Sequence, residues 1–332
     1  MTNLSTEYLG LKLTSPLVVS STPLSESIAN VQRMEDHGAS AVVLTSLFEE
    51  QLDLESLALD RTLSRGTESF AEALTYLPDY ADYRSTQDAY LAHLVQVKNA
   101  VSMPVLASIN GVTPGGWVRF AQDVEAAGAD ALELNTYSLA INPCIPGKEI
   151  EKQLVELVRT VRRSIKIPFA VKLSPQFTSI PNLAAQIDAA GANGLVLFNR
   201  FYQPDFDIEA MDVLPRLAFS RSDELLLRLH WTAILYGNVK ADLAITGGVH
   251  TATDVVKGIM AGAKVVMTTS ALHQQGIEQL QEMRDGLLEW MVEHEYASLA
   301  QMRGALSRTS VPDASPFERG NYIKTLSSYT LR

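Results

Sequence analysis

The sequence predicts an α/β protein, a (β/α)8 TIM barrel with extra chain after the second and sixth strands, and three observations carry that prediction. A short phrase recurs, eight apolar runs of strand length follow one another, and amphipathic helical segments separate most of them. The phrase reads HGASAVVLTS at 37–46, AGADALELNT at 127–136, AGANGLVLFN at 190–199 and AGAKVVMTTS at 261–270. Each copy joins a helix-ending glycine, a tight turn and an apolar run too short for a helix but long enough for a strand buried on both faces. That is the closing half of a βαβ unit.

Between the copies lie SPLVVSS at 15–21, MPVLASIN at 103–110, IPFAVKLSP at 167–175 and ADLAITGG at 241–248. Together these runs predict strands at about 17–21, 42–46, 104–108, 131–135, 168–173, 194–199, 242–246 and 264–268. Helical periodicity appears over 25–37, 114–127, 148–163, 181–190, 251–261 and 274–292. A doubly wound open sheet has the same local code, but the count of eight and the even spacing favour closure. Two spacings, 47–103 and 200–240, hold more chain than one crossover needs and predict excursions at the mouth. The chain is therefore expected to form one domain over 1–332, with a mainly helical, polar tail from about 293 and a short helix near 296–306.

Composition narrows the function. With 27 Lys+Arg against 38 Asp+Glu, the net charge of -11 repels a phosphate backbone, so nucleic acid is not expected as a partner. Cys144 is the single cysteine, which excludes an intrachain disulfide and a Cys-rich cluster, and the six histidines lack ligand spacing, so no metal site is expected. No basic leader or spanning-length apolar run is legible, and a cytoplasmic protein that is not integral to a membrane is the default expectation.

In such a barrel the carboxyl ends of the strands face the ligand site. Reading only those ends gives Ser20 and Ser21, Thr45 and Ser46, Ser108 and Asn110, Asn135, Lys172 and Ser174, Asn199, Gly247 and Gly248, and finally Thr268, Thr269 and Ser270. Lys172 stands out because FAVKLSP places a cation inside an apolar strand, where an unpaired charge is costly. It either serves a ligand, as a point charge or as a Schiff-base nucleophile, or pairs with a strand-end carboxylate such as Glu133. The glycine pair of TGGV at 246–249 and the hydroxyls of TTSAL at 268–272 form an expected anion cradle after strands seven and eight.

In order and spacing, LGLKLTSPLVVSST, LELN at 132–135, PFAVKLSP at 168–175, LVLFN at 195–199, ITGGV at 245–249 and TTSAL at 268–272 resemble the dihydroorotate dehydrogenase family over about residues 8–290. The likeness is closest to its soluble class 1 members and to a dihydroorotate dehydrogenase-like branch. It implies an FMN at the barrel mouth, with dihydroorotate or a similar reduced ring as the small-molecule substrate, proton abstraction, and hydride transfer to the flavin N5. It assigns Lys172 to the N1/C2 edge of the flavin and Gly247, Gly248, Thr268 and Thr269 to the phosphate. Ser20, Ser21, Thr45 and Ser46 are assigned to the cofactor as well. Asn135 and Asn199 would serve both flavin and substrate, and Asn142 and Arg200 the substrate. A homodimer is implied too.

Departures from the family pattern leave the substrate open. Thr45 stands where the family carries a lysine, SFAEALTYLPDY at 69–80 lacks the Asn and Met-Gly of the usual substrate loop, and LNTYSLAINPC replaces the Cys-Pro-Asn motif. The base is Ser138 by register, Cys144 by intrinsic acidity, or neither. Tyr137 is expected as a wall, and FNRFYQPDFDI at 198–208 as a lid or a packed base, with His230, Trp231 and His250 as further mouth candidates. The electron acceptor is open among a soluble acceptor, a quinone and a partner protein. Two other readings remain: a Schiff-base lyase or aldolase built on Lys172, and a flavin-binding protein without catalysis.

Overall fold

The computed structural model describes residues 2–51, 86–111, 113–137 and 139–328. In chain order its strands are β1 (Thr6–Tyr8), β2 (Leu11–Leu13), β3 (Leu17–Val19), β4 (Ala41–Val43), β5 (Leu47–Phe48), β6 (Val105–Asn110), β7 (Ala131–Asn135) and β8 (Phe169–Leu173). They continue with β9 (Gly194–Leu197), β10 (Asp205–Asp207), β11 (Asp212–Leu214), β12 (Asp242–Thr246) and β13 (Val265–Thr268). Eight of these, β3, β4, β6 to β9, β12 and β13, pair in parallel around a ring that the β4–β6 pairing closes, Val42 opposite Val105. β5 prolongs the β4 side of that seam, with Leu47 opposite Ile109. The chain is a (β/α)8 barrel, as the repeated phrase predicts.

Alternation along each strand sorts the side chains. Ala131, Ala170, Val196, Ala244, Val265 and Met267 point into the barrel, where eight converging strands leave room for small or slender groups. Leu132, Leu134, Phe169, Val171, Leu195 and Leu197 point outward and pack against the helices. The helix Gly147–Ser164 buries Val155, Val158 and Val161 at helical spacing, and Pro114–Ala126 buries Trp117, Phe120, Ala121 and Val124. The Thr113 hydroxyl starts the latter helix by accepting from the Gly116 N–H at 3.0 Å. Among the described residues no helix is long and apolar enough to cross a membrane.

Some local expectations needed revision. The segment 274–292 is two helices, Ser270–Gln275 and Gln279–Glu293, because Gly276 adopts a φ of 97° that ends the first. Each long spacing holds a helix the sequence reading did not assign, Thr86–Ala100 and Leu225–Leu235. The second spacing also carries the exposed β10–β11 hairpin. In the tail, Leu299–Met302 falls inside the expected helix, and Gly320–Ser328 adds another. Residues 52–85, which include the stretch at 69–80 read as a substitute substrate loop, lie outside the described residues.

Ahead of the barrel, the antiparallel β1–β2 hairpin plugs its amino-terminal end. Tyr8, Leu9 and Leu13 join the interior cluster, and the Leu9 N–H donates to Asp242 Oδ2 at 2.8 Å. The Tyr8 hydroxyl is buried there with no hydrogen-bond partner among the described residues. Burial, and then the charges of Glu133 and Asp242, raise its pKa well above the usual phenol range.

Two predictions come from this packing. Tyr8→Phe removes an unsatisfied buried hydroxyl and is expected to raise stability by about 1 kcal/mol, read by denaturant melts at neutral pH. A raised folded-state pKa makes stability complete below about pH 10 and erodes it as pH climbs past that value, so Tyr8→Phe should also lessen the alkaline loss of melting temperature. An unchanged alkaline profile would contradict the burial argument. At the end of β12, Gly247 (φ +88) and Gly248 (φ +79) lie against the helix Leu225–Leu235, and a Cβ on Gly248 would stand 2.4 Å from the Leu225 nitrogen. On Gly247 it would meet Arg228 Nη2 at 3.0 Å, the end of a side chain that can shift. Gly248→Ala is therefore expected to cost at least about 2 kcal/mol and more than Gly247→Ala, in urea melts of the two variants.

Candidate active site

The carboxyl ends of the strands surround a cavity of about 530 Å³. Ser20 and Ser21 line it after β3, Thr45 and Ser46 after β4, Asn110 from β6, Asn135 from β7, Lys172 from β8 and Asn199 after β9. Gly247 and Gly248 follow β12, and Thr268 and Thr269 close β13. Every residue that the sequence reading assigned to the cofactor thus borders one space. Ser108 and Ser174, also noted at strand ends, are buried and do not line it.

At the inner face, strand register sets Asn135 directly beside Lys172. The Asn199 amide donates to Asn135 Oδ1, and the Asn135 amide donates onward to Ser46 Oγ at 3.3 Å. Ser46 then meets Ser108 Oγ at 2.7 Å and Ser21 Oγ at 3.3 Å. This chain of amides and hydroxyls fixes which edge of each group faces the cavity. Lys172 Nζ lies 3.2 Å from Glu133 Oε1, so the carboxylate named as its alternative partner is its partner. One donated hydrogen bond to Glu133 leaves two ammonium protons for the cavity.

At the outer end, the Thr246 hydroxyl donates to Ser20 Oγ at 3.1 Å and Thr268 Oγ1 to the Val249 carbonyl at 2.9 Å. Thr269 Oγ1 donates to the Ser20 carbonyl at 3.2 Å. Thr45 Oγ1 donates to the Thr22 carbonyl at 2.8 Å, away from the role of the lysine it replaces. The Gly248 N–H reaches Ser220 Oγ at 3.2 Å, and that hydroxyl also meets His250 Nε2 at 3.1 Å. Behind Gly247 the Arg228 guanidinium is buried, donating to the carbonyls of Thr246 and Glu224; burial lowers its pKa, partly opposed by Glu224.

Arg200 also borders the cavity, but its guanidinium is forked on Glu224 at 2.9 and 3.0 Å within the second excursion. Tyr137 packs on Phe201 with ring centroids 4.5 Å apart and planes tilted by 33°, and Tyr137 and Tyr202 form a wall of the cavity. Cys144 and Asn142 are both exposed and stand outside the cavity lining, with Asn142 Oδ1 accepting the Cys144 N–H at 2.9 Å. Ser138, the base candidate by register, lies outside the described residues. His250 is buried behind the rim, while His230 packs on Trp231 and Phe317 away from the cavity, where burial lowers its pKa. Ser220, Thr22 and Phe48 border the cavity without having been singled out as site residues. Ser220 sits in the irregular stretch PRLAFSR at 215–221, with no periodicity, so nothing local marks it.

The volume lies within the roughly 300–1,000 Å³ of a cofactor pocket. Amides and a buried ammonium at one end suit the electron-accepting edge of a flat heterocycle; at the other, where the Thr268 and Thr269 hydroxyl protons are held on main-chain carbonyls, the Ser270 hydroxyl, which accepts from the Ser220 N–H, and the open backbone of the glycine turn suit a phosphate. The residues present therefore fit an FMN.

Comparison with known proteins points to one family. The family described as dihydroorotate dehydrogenase matches residues 84–291. A putative dihydroorotate dehydrogenase A (fumarate) of Aeropyrum pernix is 30% identical over 223 residues, covering 65% of this chain and 71% of the relative. The catalytic subunit of dihydroorotate dehydrogenase B (NAD(+)) of Thermoplasma volcanium is 25% identical over 323 residues, covering 92% and 98%. The NAD-dependent dihydropyrimidine dehydrogenase subunit PreA of Escherichia coli is 23% identical over 326 residues, covering 93% and 78%. With a family match spanning most of the barrel and relatives aligned along nearly its whole length, the chain belongs to the dihydroorotate dehydrogenase family.

Proposed function

We propose that the chain is an FMN-dependent oxidoreductase that oxidises dihydroorotate or a related reduced pyrimidine. The observation that carries this reading is that Lys172, Asn135, Asn199, the glycine pair, Thr268 and Thr269 all line one cavity. The names of the relatives, dihydroorotate dehydrogenases and a dihydropyrimidine dehydrogenase subunit, support the same substrate class. Residues 1–332 act in this reading as one cofactor-binding barrel with its tail from about 293.

When bound, FMN would supply the two-electron acceptor for the oxidation, and a base on this chain would take the substrate proton. Lys172, which lines the cavity, would hold the electron-rich edge of the bound ring by its ammonium. Asn135 and Asn199 orient ring amides through their shared hydrogen bond. Tyr137, Phe201 and Tyr202 shield the reacting face from water on the side of the excursion. Ser138 is the proposed base by register, and Cys144 reaches the ring only if its loop folds inward. Arg200 meets an anionic ring substituent once it exchanges part of its fork on Glu224.

The purified chain should be yellow, with absorption near about 370 and 450 nm. Anaerobic dihydroorotate, or failing that dihydrouracil, should bleach the longer-wavelength band. Lys172→Met should slow that bleaching by about 100-fold, as expected for the loss of one preorganised electrostatic group. Ser138→Ala should slow it strongly and Cys144→Ala little; the reverse order would move the base to Cys144. Borohydride trapping of a substrate on Lys172, in a colourless protein, would instead establish a Schiff-base enzyme. A yellow protein bleached by neither ring would point to flavin binding without this catalysis.

A further inference from the structure

Glu133 is the least explained group in the barrel. It occupies the middle of β7, its side chain is 1% exposed, and it does not line the cavity. Oε1 accepts from Lys172 Nζ, while Oε2 has no partner among the described residues. The groups that face it are Lys172 from above and Tyr8 from below, with the Tyr90 phenol close enough to feel its charge. A buried ion pair with an idle carboxylate oxygen is a poor source of stability, since apolar side chains of the same size commonly serve a core as well or better. Stability alone therefore does not explain why a carboxylate stands here.

We propose that Glu133 is a positioning residue: it anchors the Lys172 ammonium at the floor of the cavity and offsets part of its charge, and so sets how strongly the site favours a negatively charged bound ring. The proposal rests on the FMN reading above. Two features of the geometry support it. The carboxylate is on the far side of the ammonium from the cavity, so it restrains Lys172 without touching the ligand. Asn135, two residues along the same strand, is in register with Lys172, so one strand both restrains the cation and supplies the neighbouring amide.

Sulfite tests this without turnover. It forms a bond from its sulfur to N5 of oxidised flavin and leaves negative charge on the N1 side of the ring, so its affinity reports the positive field there. Glu133→Gln keeps an oxygen acceptor for Lys172 and removes the charge. In the flavin-loaded protein it is expected to tighten sulfite binding on the order of tenfold, by titration of the bleached absorption. Glu133→Met, which removes the same charge with an apolar chain of similar length, should shift it in the same direction if the glutamine variant does not fold. In a Lys172→Met background the effect should shrink sharply, because a buried carboxylate deprived of its ammonium partner is disfavoured as a charge and leaves little for the glutamine to remove. Sulfite affinity that is unchanged in both Glu133 variants, or that changes equally without Lys172, overturns the proposal while leaving the flavin site standing. A wild-type chain that binds no FMN overturns both.

Discussion

A charge inside a closed parallel barrel constrains everything around it. The apolar interior of this one is made of Ala, Val, Leu106, Met267 and the plugging hairpin, and Lys172 enters it on a strand whose remaining inward neighbour is Ala170. An ammonium there must be paired from below, and Glu133 does so at 3.2 Å. What lies above cannot be another core layer, because two of the ammonium protons still need acceptors. The open mouth thus follows from the lysine as much as from the fold: the barrel is packed up to the ion pair and hollow beyond it.

Around that point the strand ends cooperate through register. Asn135 stands beside Lys172 because β7 and β8 pair residue for residue, and Asn199, Asn135, Ser46 and Ser108 then link the ends of four strands in one hydrogen-bonded row. Such a row holds its amides in fixed orientation before a ligand arrives, which is the condition for recognising a flat ring by its edge. The opposite rim is held differently. There the hydroxyls of Thr268 and Thr269 are aimed by main-chain carbonyls, and the turn after β12 is backed by the buried Arg228.

The strands were legible because burial on both faces writes unbroken apolar runs, and the residues that border the cavity were legible because a barrel presents strand ends to one place. Other features depended on contacts between distant segments. The helix Leu225–Leu235 has apolar residues around much of its circumference, with Leu226 and Leu227 exposed, so its periodicity is weak. The glycine pair reads locally as an approach for a ligand; the folded chain shows that both positions also need a positive φ and that Gly248 makes way for the start of that helix. Cys144, the side chain with the greatest intrinsic acidity in its loop, is exposed to solvent and does not border the cavity. Acidity could be read from residue type, but direction could not.

The division between barrel and excursions also explains where this chain keeps and where it leaves the pattern of its family. The matching motifs lie on strand ends, whose geometry the barrel dictates. The departures lie on the chain after β4 and in the loop after β7, and the excursion after β9 contributes its own wall. That excursion is fastened at its return by the Arg200–Glu224 fork, by Ser220 against Gly248 and His250, and by Ser222 on Asp254 at 2.7 Å. Beyond those ties it projects an exposed hairpin bearing Phe206, Ile208 and Met211. Substitution in such a loop costs the barrel little, whereas Lys172 or Asn135 cannot change without disturbing neighbours on both sides. In a protein built this way the strand-end rim is set by the fold and the outer wall by the loops, so the wall can vary while the rim stays fixed.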